Sequence, residues 1–141
     1  MCDILSIRRV WRHKARFMSE ASRLPILFVD DEVLIAMVMS DALEGAGYDV
    51  ECAANAGEAE VAMGKRKFAA LITDIDLGGG PDGFELARQA RAGLADLPVI
   101  YISGRCAQRY DTEKVSGSRF IAKPFVAGDL IRTLPEVIGA H

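Results

Sequence analysis

The stretch LITDIDLGGGPDG, residues 71–83, sets two unlike chemistries side by side. An apolar run from Ala69 to Ile72 leads into two carboxylates, Asp74 and Asp76, and then into glycines and a proline. A strand apolar on both faces belongs inside a parallel sheet. Its acidic end then falls where such sheets bind ligands, just beyond the carboxyl ends of the strands. The glycine-rich segment that follows supplies a loop able to fold over that end.

Working outward, the same rhythm repeats. LPILFVDDE reads as a strand over about 25–29 that stops at Asp30 and Asp31. VLIAMVMSDALEGAG reads as a helix, with Ile35, Met39, Ala42 and Ala46 at helical spacing and Gly45 and Gly47 as a stop. YDVEC alternates as a half-exposed strand, with Tyr48, Val50 and Cys52 on one face. Asn55 with Glu58, and Asp82 with Glu85, carry the spacing of helix starts. FAALIT, LPVIYIS and RFIA supply three more strands. Residues 105–117 are polar and only weakly helical, and Leu130, Ile131, Leu134, Val137 and Ile138 form a last amphipathic stripe. Strands alternating with helices predict one α/β domain: a doubly wound, five-stranded parallel sheet with helices on both faces. The domain is expected over 25–141, after a basic extension at 1–24.

Composition narrows the function. The chain has 141 residues, enough for one domain with a real core. Residues 1–24 carry six Lys/Arg against two acids, and the rest eleven against eighteen. An acidic body argues against direct nucleic-acid binding and suits a divalent cation or a basic partner. Cys2, Cys52 and Cys106 lack metal-ligand spacing, and their odd number fits reduced thiols in a cytoplasmic protein. With only His13 and His141, a histidine-based catalytic or zinc site is not expected. No apolar run is long enough to span a bilayer, and no secretory signal is indicated.

The strand ends bring together Asp30 and Asp31, Asp74, Ser103 and Lys123. Crowded carboxylates resist ionisation. A hard divalent cation relieves that repulsion, and Mg²⁺ favours a few carboxylates, a carbonyl, waters and phosphate oxygens. A carboxylate is also a nucleophile toward phosphorus. Lysine and serine suit a transferred phosphoryl group, offsetting its charge and donating hydrogen bonds.

LFVDDE, LITDIDLGGGPDGFEL, VIYISG and FIAKPF, in this order and each at a strand end, resemble the receiver domain of two-component response regulators. The resemblance covers about residues 25–138 and implies the flavodoxin-like receiver fold. It implies that Asp74 is the phosphoacceptor. Asp31 would bind Mg²⁺ directly (Mn²⁺ is the alternative ion), Asp30 would act through water, and the Asp76 carbonyl would be the third protein ligand. Ser103 matches the switch hydroxyl, Phe120 the switch aromatic and Lys123 the family's lysine, with Lys123-Pro124 at the bond typically cis in the family. The implied partners are a sensor histidine kinase or a histidine phosphotransfer protein, and a downstream protein target. The chain resembles a stand-alone receiver and is expected not to be an enzyme beyond taking up and losing its own phosphoryl group.

Departures from the family pattern fall beyond the acceptor. The Asp74–Asp82 loop is longer than usual, and GGG replaces a stiffer sequence. Gly104 leaves access to the site open. The fourth helix is expected to be short, frayed or absent. Val126 caps the last helix poorly, and Pro135 is expected to kink or end it. At the start of the chain, Ile4, Ile7, Trp11, Ala15 and Met18 lie at helical spacing among basic residues. That pattern is compatible with an anionic membrane surface or an acidic partner. The simpler reading is a tail, or translation starting at Met18. Two rivals complete the field. One is a haloacid-dehalogenase-like phosphatase or phosphotransferase, with Asp74 and Asp76 as its Asp-x-Asp pair. The other is a receiver-like adaptor that takes no phosphate.

Overall fold

The computed structural model describes residues 23–105 and 107–139. The basic stripe of residues 1–22, Cys106 and His141 lie outside the described residues. The strands are β1 (Pro25–Val29), β2 (Asp49–Ala53), β3 (Ala70–Asp74), β4 (Val99–Ser103) and β5 (Arg119–Ala122). The helices are α1 (Val33–Gly45), α2 (Ala56–Lys65), α3 (Gly83–Gly93), α4 (Ala107–Glu113) and α5 (Ala127–Gly139). All strand pairs are parallel, in the order β2-β1-β3-β4-β5. Strand order reverses between β1 and β3, so their carboxyl ends frame the cleft that such a reversal opens.

Alternation along each strand divides the core in two. Leu27, Val29, Leu71, Val99 and Tyr101 pack with Ala59 and Ala62 of α2 and with Phe84, Ala87 and Ala90 of α3. Ile26, Phe28, Ile72, Ile100 and Ile102 pack with Ala36 and Leu43 of α1 and with Leu130, Leu134 and Val137 of α5. Helices therefore cover both faces, as the sequence predicts. The two predicted caps also form. Asn55 and Asp82 accept from the backbone N–H of Glu58 and Glu85, each at 2.9 Å.

Three local expectations need correction. The buried stripe of α1 is Ala36, Ser40 and Leu43, displaced from Ile35, Met39, Ala42 and Ala46. This helix has apolar residues on most sides, with Val33, Leu34 and Val38 exposed, so the spacing falls about one residue off the buried stripe, although Met39 still packs against the core. The last helix runs through Pro135 to Gly139. Pro135 lies on the exposed side, and Leu134 and Val137 anchor the helix on either side of it. Val126 does not leave a poor start either. Its backbone N–H donates to Asp129 Oδ2 (3.0 Å), so the side chain three residues on caps the turn from within. The fourth helix, expected to be short, frayed or absent, is short at seven residues.

Candidate functional site

Each carboxylate at the strand ends is fixed by a local hydrogen bond. Asp30 Oδ1 accepts from the Glu32 N–H (2.8 Å), and Asp74 Oδ1 accepts from the Asp76 N–H (3.2 Å). Such turns leave the second oxygen of each free to face the cleft. Lys123 comes in from the end of β5. Its Nζ donates to Asp74 Oδ2 (2.9 Å) and to Glu32 Oε1 (3.0 Å), and lies 3.6 Å from Asp30 Oδ2. Asp30, Asp31 and Asp74 each offer an oxygen within 4.8 Å of the others. The Lys123-Pro124 bond is cis.

The backbone beneath Asp74 is held as tightly as its side chain. Thr73 Oγ1 donates to the Asp74 carbonyl (2.9 Å), and the Gly83 N–H donates to the Ile75 carbonyl (2.8 Å). A Cβ at Gly83 would stand 2.4 Å from the Asp74 carbonyl oxygen and 2.8 Å from Ile75 Cα. Only glycine allows the first turn of α3 to close on the acidic strand end. In the loop between them Gly78, Gly79 and Gly80 all have positive φ, which explains the GGG run. The loop passes close enough that a Cβ at Gly78 would lie 3.4 Å from Asp31 Oδ2.

Burial sets the electrostatics. It raises the Asp30 carboxyl from 3.8 to about 6, against the pull of the Glu32 N–H and Lys123. It raises Asp74 in the same way, opposed chiefly by the bond from Lys123. Burial lowers Lys123, but its bonds to Asp74 and Glu32 outweigh that and hold the ammonium above the ordinary lysine range. Asp30 Oδ2 is buried with no hydrogen-bond partner. A buried carboxylate oxygen lacking a donor, beside two further carboxylates, fits a hard divalent cation that takes oxygen ligands.

The structure brings Asp30, Asp31, Asp74 and Lys123 together. Ser103 closes the same rim from β4. Its side chain is buried, its Oγ accepts from the Arg105 N–H (3.0 Å), and its carbonyl accepts from the Lys123 N–H (3.0 Å). The side chain of Asp76 is exposed and its backbone lies beside Asp74. Phe120 stands lower, opposite Tyr101 in the β4–β5 register, half-buried and 5.3 Å from the Tyr110 ring. Sequence reasoning missed Glu32, whose only signal is its place directly after Asp30-Asp31. It also missed the file Phe84–Tyr101–Tyr110–Phe120, with successive ring centroids 5.0, 5.9 and 5.3 Å apart.

The sequence profile of the response regulator receiver domain matches residues 26–135. The chain belongs to that family. Among its relatives, the receiver protein CpdR of Brucella abortus is 30% identical over 115 residues, covering 80% of this chain and 95% of the relative. The sensory/regulatory protein RpfC of Xanthomonas campestris is 30% identical over 89% of this chain, but this chain spans only 18% of that protein. A receiver protein structure from Sinorhizobium medicae superposes with a TM-score of 0.80 at 29% identity, covering 85% of this chain and 98% of that one. The receiver domain of a Pseudomonas aeruginosa sensor histidine kinase gives 0.73 at 25% identity, covering 83% and 98%. That structure holds a magnesium ion in its active-site cleft. Receivers are signalling domains that work with histidine kinases, and they bind Mg²⁺ at an acidic pocket. In this receiver Asp30, Asp31 and Asp74 form an acidic cluster. Among its described residues no helix is long and apolar enough to cross a membrane.

Proposed function

We propose that this receiver, taken as residues 25–141, is a single-domain response regulator that accepts a phosphoryl group on Asp74. The donor is a sensor histidine kinase or a histidine phosphotransfer protein, and the output is a contact with another protein or onward phosphotransfer. The observation that carries this reading is the convergence of Asp30, Asp31 and Asp74 around one cleft, with Lys123 bonded to Asp74 at 2.9 Å. An Asp74 carboxylate oxygen attacks phosphorus. The bond from phosphorus to the donor breaks, and the donor leaves with that electron pair. Lys123 stands where it can offset charge on the phosphoryl oxygens. Asp31, Asp74 and the Asp76 carbonyl would hold Mg²⁺ directly, and Asp30 through water. The ion supplies charge neutralisation for an anion entering an acidic cleft.

Ser103, at the rim, would supply the side-chain hydroxyl that meets the phosphoryl group. Drawing it inward would disturb the end of β4 beside the aromatic file that ends at Phe120, and so carry the change toward α4 and β5. Phosphorylation shifts such an equilibrium only by its differential affinity for the two arrangements. Neither direct nucleic-acid binding nor membrane anchorage is part of this proposal.

The test is incubation with Mg²⁺ and acetyl phosphate, read by intact mass. One added phosphoryl group is expected in wild type and none in Asp74→Asn or without the metal. Unmodified wild-type protein under these conditions would refute the proposal.

A further inference from the structure

Glu32 holds the same lysine as the proposed phosphoacceptor, yet it has no part in the proposed cation site. Lys123 Nζ donates to both carboxylates at nearly equal distance, 3.0 Å to Glu32 and 2.9 Å to Asp74. The two acids sit differently. The Asp74 side chain is 6% exposed, whereas that of Glu32 is 56% exposed. Glu32 also occupies the N-cap position of α1 but makes no side-chain cap bond there. Its carboxylate is turned to Lys123 instead of to the helix start.

We infer that Glu32 is a positioning residue that selects among phosphodonors, an inference that rests on the phosphoacceptor reading above. Asp30 and Asp74 are buried at the bottom of the cleft, so a donor enters from the solvent side, where Glu32 stands. An incoming phosphoryl group must take Lys123 from Glu32 and pass beside its negative charge. That penalty grows with the charge of a small donor. A protein donor draws binding energy from surface contacts remote from the phosphoryl group and can offset it. Because Glu32 is exposed, the repulsion is modest and screened by salt.

The test compares acetyl phosphate, a dianion, with phosphoramidate, a monoanion, in the presence of Mg²⁺. In the first reaction the P–O bond to acetate breaks. In the second the P–N bond breaks, and ammonia leaves with the electron pair and the protons it already carries. Glu32→Gln should lower the KM for acetyl phosphate by about three- to tenfold at low ionic strength, with a smaller change in maximal rate. The gain should be smaller for phosphoramidate and should fade in high salt. Glu32→Asp, which keeps the charge, should stay near wild type. An unchanged or raised KM in Glu32→Gln overturns the inference, as does an equal gain for both donors that salt does not reduce. If wild type and Glu32→Gln both fail to take up phosphate from either donor, the phosphoacceptor reading fails and this inference with it.

Discussion

Burial holds the Asp30 carboxyl near a pKa of about 6, against 3.8 in its ordinary setting. A carboxylate raised in this way favours the folded state fully below the ordinary value. That contribution is lost as pH rises through about 6. Asp74 is displaced in the same direction and adds to the effect. Metal-free protein should therefore be more stable near pH 5.5 than near pH 7.5, by on the order of 1 kcal/mol, read as a higher melting temperature. Asp30→Asn should remove most of that difference, and Mg²⁺ should restore stability to wild type at the higher pH. A melting temperature that does not change between the two pH values would mean the acids are not strained. At this scale the sequence is legible where a residue's place is set by a strand end, as it is for Asp30, Asp31, Asp74, Ser103 and Lys123. It is not legible where a side chain reaches sideways. The Glu32–Lys123 bond joins positions far apart in the chain, and no local spacing announces it.

The strands are legible because a sheet buried on both faces leaves unbroken apolar runs, as in LPILFV and LPVIYIS. Helices are legible where their apolar stripe is narrow. Leu130, Leu134 and Val137 are identified correctly in α5, whereas α1, with apolar residues exposed as well as buried, blurs its buried face. The start of α5 illustrates a different limit. A cap need not stand at the cap position, and the oxygen that satisfies Val126 belongs to Asp129. Asp129→Ala should leave that N–H without its side-chain acceptor and cost about 1 kcal/mol, read as a lower denaturant midpoint with an unchanged slope. No loss would show that water serves the exposed helix start equally well. The short α4 depends on polar ties to α3 more than on a stripe of its own. Arg109 bridges Asp82 and Glu113, Arg88 donates to the Glu113 carbonyl, and Arg91 donates to the Ser116 carbonyl. Such ties have no periodicity, which is why residues 105–117 read only as weakly helical.

Across the whole molecule, the strand order β2-β1-β3-β4-β5 follows from alternation of strands and helices plus one reversal, and the cleft follows from the reversal. What alternation does not reveal is that the two faces of the sheet are built from different materials. The face under α1 and α5 is largely aliphatic, whereas the face under α3 and α4 carries the file from Phe84 to Phe120. Light can therefore distinguish the two halves of the molecule. Of three tyrosines, Tyr101 and Tyr110 stand in that file, while Tyr48 lies on the opposite face. With the single tryptophan removed by Trp11→Phe, ultraviolet emission comes from these three phenols alone. Beryllofluoride with Mg²⁺ should then alter the emission, and the added change Tyr110→Phe should blunt the response while Tyr48→Phe leaves it intact. A chain that binds the mimic with its tyrosine spectrum unmoved would have an optically silent core. In one that responds, the loss of signal in one Tyr→Phe variant and not the other tells which half of its interior has shifted.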